Sequence, residues 1–206
     1  MKRALVVIDV QNEYLTGALP ITHPAPALSL GNIAMALDTA AQEGVPVVVV
    51  QHAAPAGSPV FARGTHGFAL HEVVASRPYD HLVEKTLPSS FTGTDLDDWL
   101  RREGVDTLTV VGYMTQNCVE STARHAVHLG YRVEVASDAT GTVDLANRVG
   151  ALSAAELHRT VLVVMQSFFA FVTTTGEWIG AVRAKAPLGR PDFAAATDAG
   201  HAATGN

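Results

Sequence analysis

Residues 107–131 read TLTVVGYMTQNCVESTARHAVHLGY. The first part, 107–113, is an apolar run typical of a strand that is buried on both faces of a parallel sheet. From residue 119 to residue 129 the apolar residues recur at helical spacing, and Gly130 follows where a left-handed residue commonly ends a helix. The stretch therefore predicts a strand that passes through a short turn into a helix, as in a βαβ unit.

The same alternation of strand-like and helix-like segments continues along the whole chain. The predicted strands are residues 4–10, 45–52, 81–85, 107–113, 132–136 and 160–166. The predicted helices are residues 27–43, a short piece after His66, 95–103, 118–129, 144–158 and part of 176–185. Alternation of this kind favours parallel strands with helices on both faces. Right-handed crossovers then predict a doubly wound three-layer α/β/α fold, with a six-stranded mainly parallel sheet in the order 3-2-1-4-5-6.

Size and composition are typical of one enzyme-sized domain. The chain has 206 residues, of which 48% are hydrophobic and 17% are charged. We expect this domain to span residues 1–186 and a mobile tail without hydrophobic periodicity to span residues 187–206. The formal net charge is −6 and no basic stripe is present, which argues against nucleic acid or an anionic membrane as partner and favours a small molecule. No apolar run approaches the roughly 20 residues of a membrane span.

Cys118 is the one cysteine of the sequence, so an intrachain disulfide is excluded. A single cysteine is more often a buried structural residue than a nucleophile. The predicted turn from strand to helix changes this expectation, because free N–H groups and the positive end of the helix dipole favour the reactive thiolate. A single thiol also fits a reducing compartment, and the first ten residues lack a secretory pattern, so we expect a cytoplasmic protein.

Three titratable residues end or follow the first, third and fourth predicted strands: Asp9, Lys85 and Cys118. In a doubly wound sheet, ligands bind beyond the carboxyl ends of the strands, near the point where the strand order reverses. Taken alone, Asp9 is equally a turn former and Lys85 is more often a surface lysine. Together with Cys118 they predict one site that contains an acid, a cation and a nucleophile.

Three segments resemble the isochorismatase-like cysteine hydrolases, in the order and on the elements that this family uses. They are DVQNEYL at 9–15, EKTLPSSFTGTDLDDWL at 84–100 and GYMTQNCVESTARHAVHLGY at 112–131. The resemblance spans residues 4 to about 180, and within the family the chain is most similar to the metal-free amidohydrolase branch. It implies that Cys118 is the nucleophile, that Asp9 accepts and returns a proton, and that Lys85 stabilises the charged pair.

The resemblance also implies an oxyanion hole formed by the backbone N–H groups of Met114 and Cys118. A cis peptide bond between Tyr113 and Met114 would turn the first of these donors inward, whereas an all-trans turn is the ordinary alternative for residues other than proline. Family relatives are commonly dimers or tetramers, and the apolar segment EWIGAV at 177–182 is a candidate contact surface. We therefore expect a homodimer or homotetramer.

The implied activity is hydrolysis of a carbon–nitrogen bond in a small molecule, an amide, ureido compound or lactam, through a thioester acyl-enzyme. Two alternatives remain open at this stage. One is an isochorismate-type vinyl ether hydrolase, which can lack the cysteine, and the other is a non-catalytic family member. The presence of Cys118 with Asp9 and Lys85 favours amide chemistry.

Many nicotinamidase relatives in this family bind a metal through an Asp and two His on the second strand and its loop. Here Gln51, His52 and AAPAGS occupy that segment, and His66 and His71 add no ligand triad, so we expect neither a metal nor a cofactor. The turn-rich loop 55–67 is expected to form part of the pocket wall or a surface excursion. Candidate substrate contacts, each of which could instead be core or loop packing, are Tyr14, Phe61, Arg63, Phe91, Gln116, Asn117 and Phe168.

Overall fold

A sheet of six parallel strands forms the centre of the computed structural model, which describes residues 1–204. In chain order the strands are β1 Arg3–Ile8, β2 Val47–His52, β3 His81–Lys85, β4 Thr107–Tyr113, β5 Arg132–Gly141, β6 Leu145–Asn147, β7 Gly150–Leu152 and β8 Phe171–Thr173. The sheet has the order β3-β2-β1-β4-β5-β8, and β6 pairs with β7 in a separate antiparallel hairpin. This confirms the predicted three-layer fold, with β8 in the sixth place of the sheet.

Seven α-helices connect or follow these strands. They are α1 Pro26–Glu43, α2 Glu72–Ala75, α3 Leu96–Arg102, α4 Glu120–His128, α5 Ala154–Phe168, α6 Thr175–Arg183 and α7 Phe193–Thr204. A 3-10 turn at Asn12–Tyr14 follows β1, and a π-helical turn at Thr115–Val119 joins β4 to α4. Among the helices of residues 1–204, none is long and apolar enough to cross a membrane.

The sheet is covered on both faces, which explains why its central strands are continuous apolar runs. All six residues of β1 are buried. Ile8 belongs to the core between the sheet and α3, α4 and α5, and Val7 belongs to the core between the sheet and α1 and α6. Side chains alternate along a strand, so one apolar run supplies both cores.

A glycine sets the close approach of β4 to β1. Gly112 pairs with Ile8 and has φ of 108°, a backbone conformation that side chains rarely adopt. A Cβ atom at this position would lie 2.0 Å from the carbonyl oxygen of Ile8. Gly112 therefore lets the end of β4 lie against the end of β1, where Asp9 begins the next turn.

The prediction for residues 144–166 is wrong. Residues 160–166, predicted as the sixth strand, lie inside α5, and the predicted helix 144–158 begins instead with the β6–β7 hairpin. The reason is local: the Ser153 side chain accepts from the N–H of Glu156, and Glu156 bonds back to Ser153 N, in a capping box that starts α5. A β-branched apolar run then continues as helix, because this helix packs on the sheet.

The C-terminal region also differs from expectation in one respect. The segment EWIGAV lies in α6, where Trp178 and Val182 are only 1% and 7% exposed and belong to the core, while Glu177 and Gly180 are exposed, so its role as a contact surface stays a prediction. A helix, α7, lies in the segment for which the sequence predicts no regular element, and Phe193 stacks on Phe168 of α5 at 4.3 Å between ring centroids. The predicted boundary at residue 186 stays a prediction, and residues 205–206 of the predicted tail lie outside the described residues.

Candidate active site

Asp9, Lys85 and Cys118 meet at the carboxyl edge of the sheet. Asp9 follows β1, Lys85 is the last residue of β3, and Cys118 lies in the π-helical turn after β4. The Lys85 Nζ atom is 2.7 Å from Asp9 Oδ2 and 3.2 Å from Cys118 Sγ. The three residues are 0%, 1% and 3% exposed respectively, so their charges interact with little screening by water. The structure thus places an ammonium group between a carboxylate and a thiol.

Lys85 reaches Asp9 by passing the end of β2, which lies between β3 and β1. The last residue of β2, His52, is the register partner of Lys85, and its Nδ1 atom is 3.3 Å from Nζ. The buried side chain of Gln11 holds this strand end, because its Nε2 donates to the carbonyl of His52 at 2.9 Å and its Oε1 accepts from the N–H of His52 at 2.8 Å.

The carboxylate of Asp9 lacks the set of hydrogen bonds that a buried carboxylate usually accepts. Both of its oxygens are buried, and within residues 1–204 their one close polar contact is the ion pair of Oδ2 with Lys85 Nζ at 2.7 Å. The Asp9 backbone has φ of 51°, in the left-handed region that Asp tolerates better than most residues. Buried acceptors without donors are rare in native proteins, and among the described residues Oδ1 has no close polar contact.

The thiol of Cys118 is protonated in this arrangement. Its pKa is raised to about 12, chiefly by burial and then by the Asp9 carboxylate, while Lys85 lowers it. This direction is opposite to the expectation that a helix N-terminus favours the thiolate, because burial is the largest effect on the Cys118 thiol.

The two basic neighbours of Cys118 respond differently to the site. Burial disfavours the charged form of Lys85, but the charges of Asp9 and Cys118 more than offset it and raise the pKa of Lys85, which stays an ammonium. Burial and the positive charge of Lys85 lower the pKa of His52, although Asp9 acts in the opposite direction. The site therefore contains one cation and a neutral imidazole.

The turn that carries Cys118 is held by buried polar contacts. The Tyr113–Met114 peptide bond is cis, as the family resemblance implies. The carbonyl of Met114 accepts from the N–H groups of Asn117 at 3.1 Å and Val119 at 3.2 Å. At the start of the turn, the hydroxyl of Thr115 donates to Nδ1 of His158 at 2.8 Å, since Nε2 of that ring donates to a backbone carbonyl, that of Ser137, at 3.1 Å.

Aromatic rings line the same edge of the sheet. Tyr14 packs edge-to-face against Phe61 at 5.0 Å and Tyr113 at 5.9 Å, and Phe61 packs against His52 at 5.1 Å. Burial, followed by the charges of Asp9 and Cys118, raises the pKa of Tyr14. Phe61 has φ of 53°, an unusual value for a bulky residue.

The other candidate substrate contacts lie in varied surroundings. Arg63 is exposed and forms an ion pair with Glu84, with Nε 3.0 Å from Oε1. Phe91 packs against the rings of His125 and Tyr131, while Oε1 of Gln116 accepts from the Thr142 hydroxyl at 2.5 Å. Asn117 is partly buried in the π-helical turn. Phe168 is 57% exposed and stacks on Phe193 of α7, and the cavity that it lines contains none of Asp9, Lys85 and Cys118.

The histidines and Gln51 near β2 have other contacts. Gln51 donates to the carbonyl of Phe68 at 2.7 Å, the His66 ring lies 3.0 Å from the Thr16 hydroxyl, and His71 caps α2. In the part of the chain that the structure describes, no group of three or more His, Cys, Asp and Glu residues could hold a metal ion.

The comparison with known families agrees with this geometry. The family model for the isochorismatase domain matches residues 3–177. The chain belongs to the isochorismatase family. One relative is the uncharacterized isochorismatase family protein YddQ of Bacillus subtilis, 34% identical over 181 residues, which are 87% of this chain and 99% of YddQ. The ureidoacrylate amidohydrolase RutB of Agrobacterium fabrum is 29% identical over 218 residues, with 90% of this chain and 92% of RutB covered.

Solved structures place the chain in the same family. A crystal structure of a protein from Burkholderia xenovorans LB400 has a TM-score of 0.97 and 56% identity, covering 99% of this chain and 98% of its own. A cysteine hydrolase from Pseudomonas syringae pv. phaseolicola 1448A has a TM-score of 0.81 and 31% identity, covering 89% of this chain and 93% of its own. The isochorismatase family is hydrolytic and includes enzymes that act on amides.

Within this isochorismatase-family site, sequence reasoning assigned no role to Gln11, His52 and His158. The signal for His52 is present in VVVVQH at 47–52, where an apolar strand ends on two polar residues at the edge that binds ligands. The contact of His158 with Thr115 is not predictable without the correct position of α5, and the predicted elements of residues 144–166 differ from it. Gln11 follows Asp9 by two residues, and only the folded contact with β2 distinguishes it from a turn residue.

Proposed function

We propose that this chain is a cysteine-dependent hydrolase of a carbon–nitrogen bond in a small molecule, an amide, ureido compound or lactam. The observation that carries the proposal is the buried Lys85 ammonium, 2.7 Å from the Asp9 carboxylate and 3.2 Å from the Cys118 thiol. A protonated nucleophile, a buried carboxylate and a cation between them are the parts that thiol acylation needs.

In the first step, Cys118 Sγ attacks the carbonyl carbon of the substrate while Asp9 takes the thiol proton. The tetrahedral intermediate then collapses, Asp9 gives that proton to the leaving nitrogen, and the carbon–nitrogen bond breaks to leave a thioester on Cys118. In the second step, Asp9 takes a proton from water, which attacks the thioester carbonyl. Collapse of this intermediate releases the carboxylic or carbamic acid, and the proton returns to Cys118.

The charges of the site make this proton transfer feasible. A thiol whose pKa is raised to about 12 does not ionise alone at neutral pH. Transfer of its proton to Asp9 moves a negative charge from the carboxylate to the sulfur, and Lys85 lies beside both atoms. The net charge of the three residues and the bound substrate taken together stays the same throughout, so the buried site never holds an uncompensated charge.

The carbonyl oxygen of the substrate gains negative charge in both steps. We assign its stabilisation to the backbone N–H groups of Met114 and Cys118, which bracket the turn after β4. Backbone donors fixed in this way act without reorganisation, and removal of one such donor typically costs about 10² to 10³ in turnover number.

The name of the ureidoacrylate amidohydrolase of Agrobacterium fabrum supports amide chemistry, and the name of the cysteine hydrolase of Pseudomonas syringae supports a role for the cysteine. Vinyl ether hydrolysis needs an acid but no thiol, so it gives no reason for Cys118 to face Asp9 and Lys85. A non-catalytic member gives no reason to bury a carboxylate and a thiol around one ammonium group. The single thiol would have to stay reduced to act, which supports a cytoplasmic location.

The direct test is a screen of primary amides, ureido compounds and lactams for release of ammonia or for ring opening by product mass. The purified chain should hydrolyse at least one member of the panel, and Cys118→Ala should abolish that turnover while its circular dichroism stays native. The exposed Ser76→Ala, at the end of α2, serves as the control and should keep full activity. Undiminished turnover in Cys118→Ala would overturn the proposal.

A further inference from the structure

We propose that His52 is a positioning residue that holds the Lys85 ammonium between Asp9 and Cys118, and that it does so only as a neutral ring protonated on Nε2. This inference rests on the proposed function, because it concerns how the catalytic cation is kept in place. His52 contacts neither the thiol nor the carboxylate through any hydrogen bond described above, so it acts through Lys85.

The geometry of Lys85 requires a third acceptor. An ammonium group has three N–H donors and no lone pair. Nζ lies 2.7 Å from Asp9 Oδ2, 3.2 Å from Cys118 Sγ and 3.3 Å from His52 Nδ1. Since Nζ can only donate, Nδ1 must present its lone pair, and the ring proton must be on Nε2. The three neighbours together fix the direction of the long and otherwise flexible lysine side chain.

His52 is itself fixed from two sides. Gln11 bonds to both backbone groups of His52, and the same Nε2 atom of Gln11 donates to the carbonyl of Phe68 at 2.7 Å. On the ring side, Phe61 packs edge-to-face at 5.1 Å. These contacts fix His52 independently of Lys85, so the position of Nδ1 does not depend on its contact with the ammonium group.

Protonation of His52 would remove this acceptor. It would replace a lone pair by a second cation next to Lys85, and the ammonium would be pushed away from the thiol and the carboxylate. The charged groups that face the ring are Lys85 from β3 and Asp9 from β1, and burial together with Lys85 outweighs Asp9 in lowering the pKa of His52. The neutral ring is therefore the form present at neutral pH, and the active arrangement should be lost in acid.

Two variants of His52 test separately the contribution of its hydrogen-bond acceptor and that of its aromatic ring. His52→Asn keeps an oxygen acceptor near the position of Nδ1 but cannot titrate. His52→Phe keeps an aromatic ring against Phe61 but has no acceptor. The matched control is His128→Asn on the exposed end of α4. Each protein is assayed for turnover against pH and for the pH dependence of Cys118 alkylation by iodoacetamide, which requires no substrate.

We expect turnover of His52→Phe to fall by about tenfold to a hundredfold, because Lys85 is misplaced. Its alkylation profile should move to higher pH, because the thiolate loses a well-placed cation. His52→Asn should keep turnover within about threefold of the parent protein and should retain activity at acid pH values where the parent loses it. A purely structural role of His52 would leave the alkylation profile unchanged.

The ¹⁵N NMR signals of His52 in the unmodified protein provide a test that does not depend on a variant. At pH 7 the account requires a protonated Nε2 and an unprotonated Nδ1, and an Nδ1–H tautomer or an imidazolium would overturn it. Unchanged alkylation profiles in both His52 variants would overturn it as well. Activity of Cys118→Ala contradicts the proposed function instead, so the two failures are distinguishable.

Discussion

The substitution Asp9→Asn should have opposite effects on the reactivity of Cys118 and on turnover. Asn keeps the size of Asp9 but carries no negative charge and cannot accept the thiol proton. Asp9 raises the pKa of Cys118, so its removal should make the thiol easier to ionise. The variant should therefore contain a more reactive thiol in an inactive enzyme.

The magnitude follows from the two contacts of Lys85. Nζ lies 2.7 Å from Oδ2 and 3.2 Å from Sγ, so the distance between Oδ2 and Sγ is at most their sum, about 5.9 Å. At an effective dielectric constant of about 20, two unit negative charges at that separation repel by about 3 kcal/mol, which equals about 2 pKa units. We expect the pKa of Cys118 to fall from about 12 by this amount or more.

The assay is the rate of iodoacetamide labelling against pH, read by mass spectrometry, together with turnover on the substrate that the screen identifies. The exposed Asp98→Asn is the control for an equal change in net charge. Turnover of Asp9→Asn should fall by about 10² to 10⁴, the usual range for a lost general base. A labelling profile that is unchanged or moves to higher pH would refute the electrostatic reasoning, and near-normal turnover would refute Asp9 as the proton carrier.

Three further predictions concern other parts of the molecule. Lys85→Met should move the labelling profile of Cys118 to higher pH. Because it leaves Asp9 as an unpaired buried charge, it should also lower the free energy of unfolding, measured by urea denaturation, by about 3–5 kcal/mol. The pKa of His158 is lowered from 6.5 to about 4. The stability that burial of the neutral ring contributes is therefore complete above pH 6.5 and decreases as the pH falls toward 4, by up to about 1 kcal/mol per pH unit. The variant His158→Gln, which cannot titrate, should show a flatter pH dependence of unfolding, and an equally steep one would contradict this. We expect the chain to self-associate as a dimer or tetramer through the β6–β7 hairpin, where Val149 is 86% exposed and Leu152 is 45% exposed. Sedimentation should show a larger mass for the parent protein and a monomer for Val149→Asp. A monomeric parent protein would exclude self-association.

Much of the fold is predictable from the sequence because parallel strands buried on both faces are continuous apolar runs. β3 and β4 have the predicted bounds, and the predicted order of the sheet is confirmed. The run at 160–166 fails because hydrophobicity alone does not distinguish a buried strand from a helix that packs on a sheet. The signal that does distinguish them is the capping pair of Ser153 and Glu156, three residues apart.

The meeting of Asp9, Lys85 and Cys118 is also predictable, because parallel strands end at one edge of the sheet. The ionisation of Cys118 is not predictable in this way. It depends on how deeply the turn is buried and on the distance to each charge, and both are set by tertiary packing. The contact of His52 with Lys85 likewise depends on the register of β2 against β3, which the sequence does not reveal.

The central claim is that Cys118 carries the acyl group of the substrate during turnover. The most direct measurement is intact-protein mass spectrometry after rapid acid quenching of the enzyme with saturating substrate, followed by peptide mapping. The account predicts a mass increase equal to the acyl fragment on the peptide that contains Cys118, and no increase in Cys118→Ala. Full turnover in Cys118→Ala, or an acyl group mapped to a different residue, would contradict it.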